Sequence, residues 1–286
     1  GIADGNVEQL FKDIPENLRP RSFNIPSGIS EYEVMQRIKK LADKNNTSLV
    51  SFLGAGYYDH FIPAAVDALV SRSEFYTAYT PYQPEASQGT LQAIYEYQSV
   101  ISRLTNMKVA NASLYDGGTA VFEAATMAMR ITGRNKILID EAVNPIYRKI
   151  LYSLTSNHSI EIKEIPPVAG QVNKDAFDEF LDDKTAAIIL QNPNFFGTLD
   201  DCTDIIKKSH SVGAIAIMSV YPISLGIIKT PGEMDADIVI GEGQSLGMPL
   251  SFGGPYLGFM ATKMEFVRKM PGRLVGATVD IEGKRG

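Results

Sequence analysis

The sequence predicts an α/β fold built around a mainly parallel β-sheet, and three observations lead to that class. Short apolar runs rich in β-branched residues alternate with helical patterns through the middle of the chain, which is typical of repeated βαβ units. Most of these runs are largely apolar, as expected for strands that are covered on both faces. The composition, with 44% hydrophobic and 21% charged residues, is that of a globular protein with a sizeable core.

The order of the elements follows from these runs. Helices are predicted at 120–131 and 174–181, between several of the strands. The predicted strands are 136–140, 159–165, 186–191, 214–219, 237–241 and 256–261.

The N-terminal segment has a different pattern. Three prolines interrupt its first part, and an amphipathic helix is predicted at 30–44, with Ser30 as N-cap and Glu33 as its capping-box partner. We expect three parts: an N-terminal arm and helix at 1–48, a large domain at 49–270, and, at 271–286, the start of a C-terminal part that is truncated or disordered.

Composition and charge argue against several classes of protein. A net charge of -6 and the absence of a basic stripe disfavour nucleic acid as a partner. Cys202 is the only cysteine, so an intramolecular disulfide is excluded and a reducing cytoplasm is expected. The run 209–228 lacks charged Asp, Glu, Lys and Arg but contains Pro222 and several serines, which predicts a buried strand and a loop and no membrane span. No signal peptide and no metal motif are visible.

The segment FYTAYTPYQPEASQG, at 75–89, is unusually rich in aromatic residues for a loop. Its two prolines restrict the backbone, so that Tyr79, Tyr82, Gln83 and Glu85 are presented in a defined array. Hydroxyls and amides of this kind suit a small polar ligand. The alternative is a structural aromatic loop that is buried against a neighbouring subunit.

Two further segments bear on chemistry. In SLYDGGTAV, glycines 117 and 118 precede a helix whose backbone amides would suit an anion, but Asp116 is expected to cap that helix and repel a phosphate. In ADIVIGEGQSLGMPLSFGGPYLGFMATK, a buried strand leads into a polar turn without a lysine.

His60 is expected to be a structural histidine, with ligand contact as the minority alternative.

Three blocks of sequence carry a family resemblance. They are GAGYYDHFIP, then YTAYTPYQPEASQGTLQAIYEYQ with SLYDGGTAVFEAA, then GEGQSLGMPLSFGGPYLGF, and together they span 54–259. In this order they resemble the alpha-type subunit of glycine dehydrogenase (decarboxylating), the P-protein of the glycine cleavage system.

The resemblance implies a fold and a division of labour. The expected fold is the large domain of a PLP-dependent transferase of the aspartate aminotransferase-like fold type I, with an N-terminal helical arm and without the C-terminal small domain. In the family only the beta subunit carries the Schiff-base lysine. Here Gln244 and Ser245 occupy the turn where that lysine is expected, and the strand that ordinarily ends with an aspartate ends at Ser219. PLP is therefore expected on the beta subunit, not covalently on this chain.

The resemblance also implies a reaction and partners. Together with the beta-type subunit, the chain is expected to act in glycine decarboxylation and in transfer of the aminomethyl group to the lipoyl arm of H-protein, within a cytoplasmic heterotetramer. No residue of this chain alone is expected to be catalytic or to bind the cofactor. Tyr79, Tyr82, Gln83 and Glu85 are the candidates for lining the partner's site or contacting substrate.

Two alternatives remain open from the sequence. One is a self-sufficient PLP enzyme, related to aminotransferases or desulfurases, whose lysine lies at Lys229 or Lys263 because the strands have been aligned incorrectly. The other is a structural or regulatory pseudoenzyme that only stabilises a PLP-bearing partner.

Overall fold

The computed structural model describes residues 7–56 and 58–285. The chain divides into two units, Gly1–Phe52 and Leu53–Gly286. The predicted domain boundaries, after residue 48 and after residue 270, stay predictions. Among the described helices, none combines the length and the apolar character needed to cross a bilayer.

The first unit consists of short helices and extended segments. Two 3-10 helices, Val7–Phe11 and Glu16–Leu18, precede the α-helix α1, Glu31–Ala42. The predicted capping box is confirmed: the Ser30 backbone N–H donates to Glu33 Oε2 at 2.9 Å, and the Glu33 N–H donates to Ser30 Oγ at 3.4 Å. None of the described residues of this unit is buried.

The second unit contains a seven-stranded sheet in the order β1-β7-β6-β5-β4-β2-β3. Five strands, β3, β2, β4, β5 and β6, are parallel, whereas β7 is antiparallel to β6 and β1 is antiparallel to β7. The mainly parallel sheet is thus confirmed. The strands are β1 Val109–Ala110, β2 Lys136–Asp140, β3 Glu161–Ile165, β4 Thr185–Asn192, β5 Ile215–Val220, β6 Ile238–Glu242 and β7 Gly258–Thr262.

The helices cover both faces of this sheet. α5 begins at Gly117, three residues before the predicted start, because Asp116 caps it. The α-helices are α2 Ala64–Val70, α3 Ser73–Tyr76, α4 Gln88–Thr105, α5 Gly117–Thr132, α6 Pro145–Thr155, α7 Lys174–Phe180 and α8 Thr203–Ser211. The 3-10 helices are Pro222–Gly226, Gln244–Leu246 and Met264–Lys269.

Two apolar clusters, one on each face, form the core. In β4, Ile188 and Leu190 belong to one cluster, and Ala187 and Ile189 to the other, as the two-residue repeat of a strand requires. All four are fully buried, and each large side chain contributes about 1.5–3 kcal/mol through burial. The alanines of α5 belong to the second cluster and let that helix approach the sheet closely.

The parallel strands end at one edge of the sheet. β2, β4, β5 and β6 finish there at Asp140, Asn192, Val220 and Glu242. In open α/β sheets this carboxyl edge is where ligands bind. The topology therefore brings these chain segments together at one candidate site.

Asp140 at the end of β2 gives the first testable prediction. Burial raises the pKa of its carboxyl group to about 6, although the Ala142 N–H donates to Oδ1, and Oδ2 has no hydrogen-bond partner among the described residues. Because the folded state holds this proton more tightly than the unfolded state, Asp140 contributes up to about 3 kcal/mol of stability below about pH 4, and this contribution is lost as the pH rises through about 6.

The Asp140→Asn variant should remove this loss. Its free energy of unfolding relative to the unmodified protein, measured by urea denaturation, should rise by up to about 3 kcal/mol between pH 4 and pH 7. Asp175→Asn, at an exposed aspartate of α7, serves as the control and should show a flat difference. A flat difference for Asp140→Asn as well would contradict the prediction.

Candidate ligand cavity at the strand ends

A cavity of about 420 Å³ lies at the carboxyl edge of the sheet. Its size lies at the lower end of the range of small-molecule sites. The walls come from segments that follow β2, β4, β5 and β6 and from the stretch before α2. The lining residues are Gly56, Tyr58, His60, Asn144, Tyr147, Gln191, Pro193, Asn194, Phe195, Gly197, Ser219, Val220, Tyr221, Glu242 and Gln244.

Tyr221, directly after β5, is the centre of an aromatic group in this cavity. Its hydroxyl forms a hydrogen bond with His60 Nε2, and the two rings are stacked with centroids 5.8 Å apart. The Tyr58 ring packs edge-on against Tyr221 at 5.3 Å. Burial raises the pKa of the Tyr221 phenol. His60 therefore lines the cavity and also has a structural contact.

The amide side chains around the cavity are held by neighbouring backbone groups. Asn144 caps α6, because its Oδ1 accepts from the Ile146 N–H at 2.9 Å. The Asn144 N–H donates to Gln191 Oε1 at 2.9 Å, and Gln191 Nε2 donates to the Pro193 carbonyl at 3.2 Å. These bonds fix the loops after β2 and β4 relative to each other.

Glu242, the last residue of β6, joins three segments through its carboxylate. Oε2 accepts from the N–H of Gly117 at 3.0 Å, while Oε1 accepts from Gln244 at 3.1 Å and from Leu257 at 2.9 Å. Burial raises the pKa of Glu242, and the three backbone donors oppose that effect. The first amide of α5, an ordinary anion-binding group, is thus already occupied by a carboxylate.

Asp116 occupies the same helix terminus. The Thr119 N–H donates to Asp116 Oδ1 at 2.8 Å, so the predicted capping role is confirmed. Space is also short there: a Cβ atom on Gly117 would lie 2.5 Å from the Tyr147 hydroxyl, and one on Gly118 would lie 2.4 Å from a side-chain carbon of Ile150. Two carboxylates and tight packing leave this terminus unsuited to a phosphate group.

The lysines considered from the sequence lie elsewhere. Lys229 Nζ contacts Asp201 and Thr203 at the surface. Lys263 follows β7, at the opposite edge of the sheet, where its Nζ lies 2.7 Å from Asp237 Oδ1.

Gln244 and Ser245 lie buried in the turn after β6. Ser219, the next-to-last residue of β5, lines the cavity and carries no charge. Ser245 Oγ makes no hydrogen bond of normal geometry among the described residues, although its proximity to the Tyr221 hydroxyl opposes the rise in the pKa of that phenol. The described lining thus fits neither a Schiff base nor the phosphate of PLP.

The loop predicted to carry ligand contacts does not line this cavity. Tyr79, Tyr82, Gln83 and Glu85 are exposed, and the rings of Tyr79 and Tyr82 are 6.4 Å apart. Arg273 lies over the Tyr82 ring at 4.8 Å and donates to its hydroxyl at 3.3 Å. Arg273 was not predicted from the sequence, because it lies 191 positions from Tyr82 and no local pattern links the two residues.

Neither the cysteine of this unit nor a group of metal-ligating side chains provides another reactive site among the described residues. Burial raises the pKa of the Cys202 thiol to about 12, so this cysteine is a buried apolar group and not a nucleophile. Within residues 7–56 and 58–285, no three His, Cys, Asp or Glu side chains are arranged to hold a metal ion.

Comparison with known proteins decides the family. Residues 2–286 match the family described as glycine cleavage system P-protein. The chain belongs to the glycine cleavage system P-protein family. A probable glycine dehydrogenase (decarboxylating) subunit 1 from Oleidesulfovibrio alaskensis is 57% identical over 285 residues, which are 100% of this chain and 64% of that protein. The chain therefore spans slightly less than two thirds of its curated relatives.

Solved structures agree with this assignment. A crystal structure of glycine decarboxylase (P-protein) of the glycine cleavage system, in inhibitor-bound form, superposes with a TM-score of 0.91 at 42% identity, covering 99% of this chain and 64% of that one. A sphingosine-1-phosphate lyase from Burkholderia pseudomallei gives a TM-score of 0.61 at 13% identity, covering 93% and 65%. The fold is that of PLP-dependent transferases of fold type I, as expected.

The occupied helix terminus gives the second prediction. The Glu242→Ala variant combined with Asp116→Asn frees the Gly117 amide, vacates the space of the Glu242 side chain and removes both negative charges, so the affinity of the chain for inorganic phosphate, measured by calorimetry, should rise at least about tenfold. Glu161→Ala, at an exposed carboxylate at the start of β3, is the control and should change nothing. Unchanged phosphate affinity in a folded double variant would show that the two carboxylates do not exclude the anion.

Proposed function

We propose that this chain is the subunit of glycine decarboxylase that does not anchor PLP. With a second, PLP-bearing subunit it decarboxylates glycine and transfers the aminomethyl group to the lipoyl arm of H-protein. The observation that carries the proposal is the turn after β6, where Gln244 and Ser245 lie at the strand end of a PLP-type fold without a lysine. Membership of the P-protein family, with relatives named as subunit 1, supports it.

In this proposal PLP is held by the partner subunit. PLP supplies an electron sink for carbanion chemistry when bound, and it needs a covalent or ionic anchor. This chain offers no such anchor at the cavity, because the described lining residues include neither lysine nor arginine. In addition, Glu242 and Asp116 accept hydrogen bonds from the backbone amides that a phosphate would use. The chain's contribution is therefore to assembly and to the shape of the partner's site.

The loop at 75–89 is the part of the chain that we assign to the partner's site. Tyr79 and Tyr82 are 83% and 67% exposed and lie in one aromatic segment with exposed Phe75 and Tyr76, and contiguous exposed apolar surface is typical of an interaction site. Arg273 holds the Tyr82 ring in place, so the phenol is presented in one orientation. Gln83 and Glu85 follow on the same exposed segment and provide polar groups at the entrance or floor of the partner's site.

The proposal also includes the cellular location and the subunit composition of the enzyme. A cytoplasmic location agrees with the single, buried cysteine. The assembly is an αβ pair or a larger α2β2 particle, with H-protein as a transient partner through its lipoyl arm.

The third prediction concerns activity. The chain alone should not catalyse the exchange of label between bicarbonate and the carboxyl group of glycine, whereas mixing it with its partner subunit and H-protein should produce that exchange. The partner alone is the matching control and should be inactive. Full exchange by this chain in isolation would reject the proposal and favour a self-sufficient PLP enzyme.

The fourth prediction separates a site role from a scaffold role. Tyr82→Phe removes one hydroxyl, and turnover of the assembled enzyme should fall by about tenfold, the effect of losing one hydrogen bond to a reacting complex. Tyr79→Phe should act in the same direction. Tyr32→Phe, at an exposed phenol of α1 outside this loop, is the control. Unchanged turnover in all three variants, with assembly intact by size-exclusion chromatography, would support the pseudoenzyme alternative instead.

A further inference from the structure

The loop at 75–89 is held to the rest of its unit by very few contacts. None of its residues is buried, so no side chain fixes it in the core. With one exception, its hydrogen bonds among the described residues join positions four or fewer apart, such as the bond from the Tyr82 N–H to the Thr80 carbonyl at 2.8 Å. The exception is the hydrogen bond that Arg273 donates to the Tyr82 hydroxyl at 3.3 Å. The orientation of the loop therefore depends on Arg273.

The segment 271–275, which carries Arg273, is bound firmly to the body of the unit. The Ala112 N–H donates to the Arg273 carbonyl at 2.8 Å. The Gln98 side chain makes two hydrogen bonds with the Val275 backbone: Nε2 donates to the carbonyl at 2.9 Å, and Oε1 accepts from the N–H at 3.0 Å. Gln98 is buried in α4, and breaking the bonds of a buried amide is costly. The backbone of Arg273 is thus a fixed point from which its side chain reaches the loop.

The Arg273 guanidinium makes two kinds of contact with Tyr82. It lies over the ring, with 4.8 Å between the guanidinium carbon and the ring centroid, and its Nη2 donates to the hydroxyl oxygen. The first contact holds the plane of the ring, and the second occupies a lone pair of the phenol oxygen. Among the described residues, none accepts the proton of the Tyr82 hydroxyl. That proton is free for an outside acceptor, and a hydroxyl that accepts from a cation is the stronger donor.

A second arginine of the same part of the chain makes a similar contact without this consequence. Arg285 lies over the Tyr95 ring at 5.0 Å, and neither Arg285 nor Arg273 forms an ion pair with a described carboxylate. Tyr95 belongs to α4, whose own backbone hydrogen bonds fix it. Tyr82 lies in a loop that has no such support. Arg285 is therefore a matched comparison for Arg273.

We propose that Arg273 is a positioning residue for the glycine decarboxylase reaction: it fixes the loop at 75–89 through Tyr82 and leaves the Tyr82 O–H free to donate to a carboxylate or phosphate oxygen of the ligand in the partner's site. The inference rests on the proposed function, in which this loop lines that site. Arg273 acts through Tyr82 and is not itself in contact with the reacting atoms.

Proteolysis of the chain in isolation tests the fixation of the loop. Chymotrypsin cuts after tyrosines in segments that open, and cleavage after Tyr82, followed by mass spectrometry of the peptides, should be at least about fivefold faster in Arg273→Ala than in the unmodified protein. Arg273→Lys keeps the charge without the planar fork and should lie between the two. Arg285→Ala, the control, should leave this rate unchanged. Equal rates in Arg273→Ala and the unmodified protein would overturn the proposal.

Kinetics of the assembled enzyme separate positioning from a merely structural role. Arg273→Ala should lower kcat for the exchange of label between bicarbonate and glycine about tenfold, with little change in the KM for glycine, while size-exclusion chromatography shows intact assembly. Arg285→Ala removes the same charge and should retain full activity. Unchanged kcat in Arg273→Ala, in an assembly that is active without the substitution, would contradict the assignment.

A double variant shows whether Arg273 acts through Tyr82. Arg273→Ala combined with Tyr82→Phe should lose clearly less than the product of the two single losses, because both substitutions remove the same contact. Losses that multiply fully would mean that Arg273 acts independently of Tyr82 and would sink the proposal. An unmodified assembly without any exchange would reject the proposed function and, with it, the catalytic part of this inference, whereas the chymotrypsin result decides the fixation of the loop in either case.

Discussion

The carboxylate of Glu242 bonded to the first amide of α5 is the interaction on which the candidate site depends. It connects the end of β6 to a helix that lies 125 positions earlier in the chain, and it also accepts from Gln244 and Leu257. Helix N-termini attract anions, and here the protein supplies that anion itself. Because this amide is occupied internally, it is not free to donate to a phosphate group.

Other residues at the strand ends are also neutral at positions where PLP-type enzymes carry charged side chains. Where a PLP-type enzyme needs charges, this chain has neutral groups: Ser219 at the end of β5 and Gln244 with Ser245 after β6. The sheet itself keeps its packing, with β4 buried along almost its whole length. Stability and cofactor chemistry are thus separable in this fold, since the core requires apolar side chains whereas the site depends on a few residues at the strand ends.

Much of this architecture is predictable from the sequence, and the limits have physical reasons. Short runs rich in apolar and β-branched residues predicted six of the strands, and Asp116 was identified as a helix cap from local chemistry alone. β1, with only two residues, carries no periodic pattern, and its pairing with β7 depends on tertiary contacts. The bond from Glu242 to Gly117 and the contact of Arg273 with Tyr82 join distant positions, which no local pattern reveals. The aromatic loop was predicted from composition, and its place in an active site stays a prediction.

The most direct test of the central claim is where PLP is covalently held in the assembled enzyme. Borohydride reduction of the assembly, followed by proteolysis and mass spectrometry, converts a Schiff base into a stable phosphopyridoxyl-lysine. The account predicts that this modification occurs on a lysine of the partner subunit and on no peptide of this chain. A phosphopyridoxyl group on Lys229, Lys263 or any other lysine of this chain would contradict it.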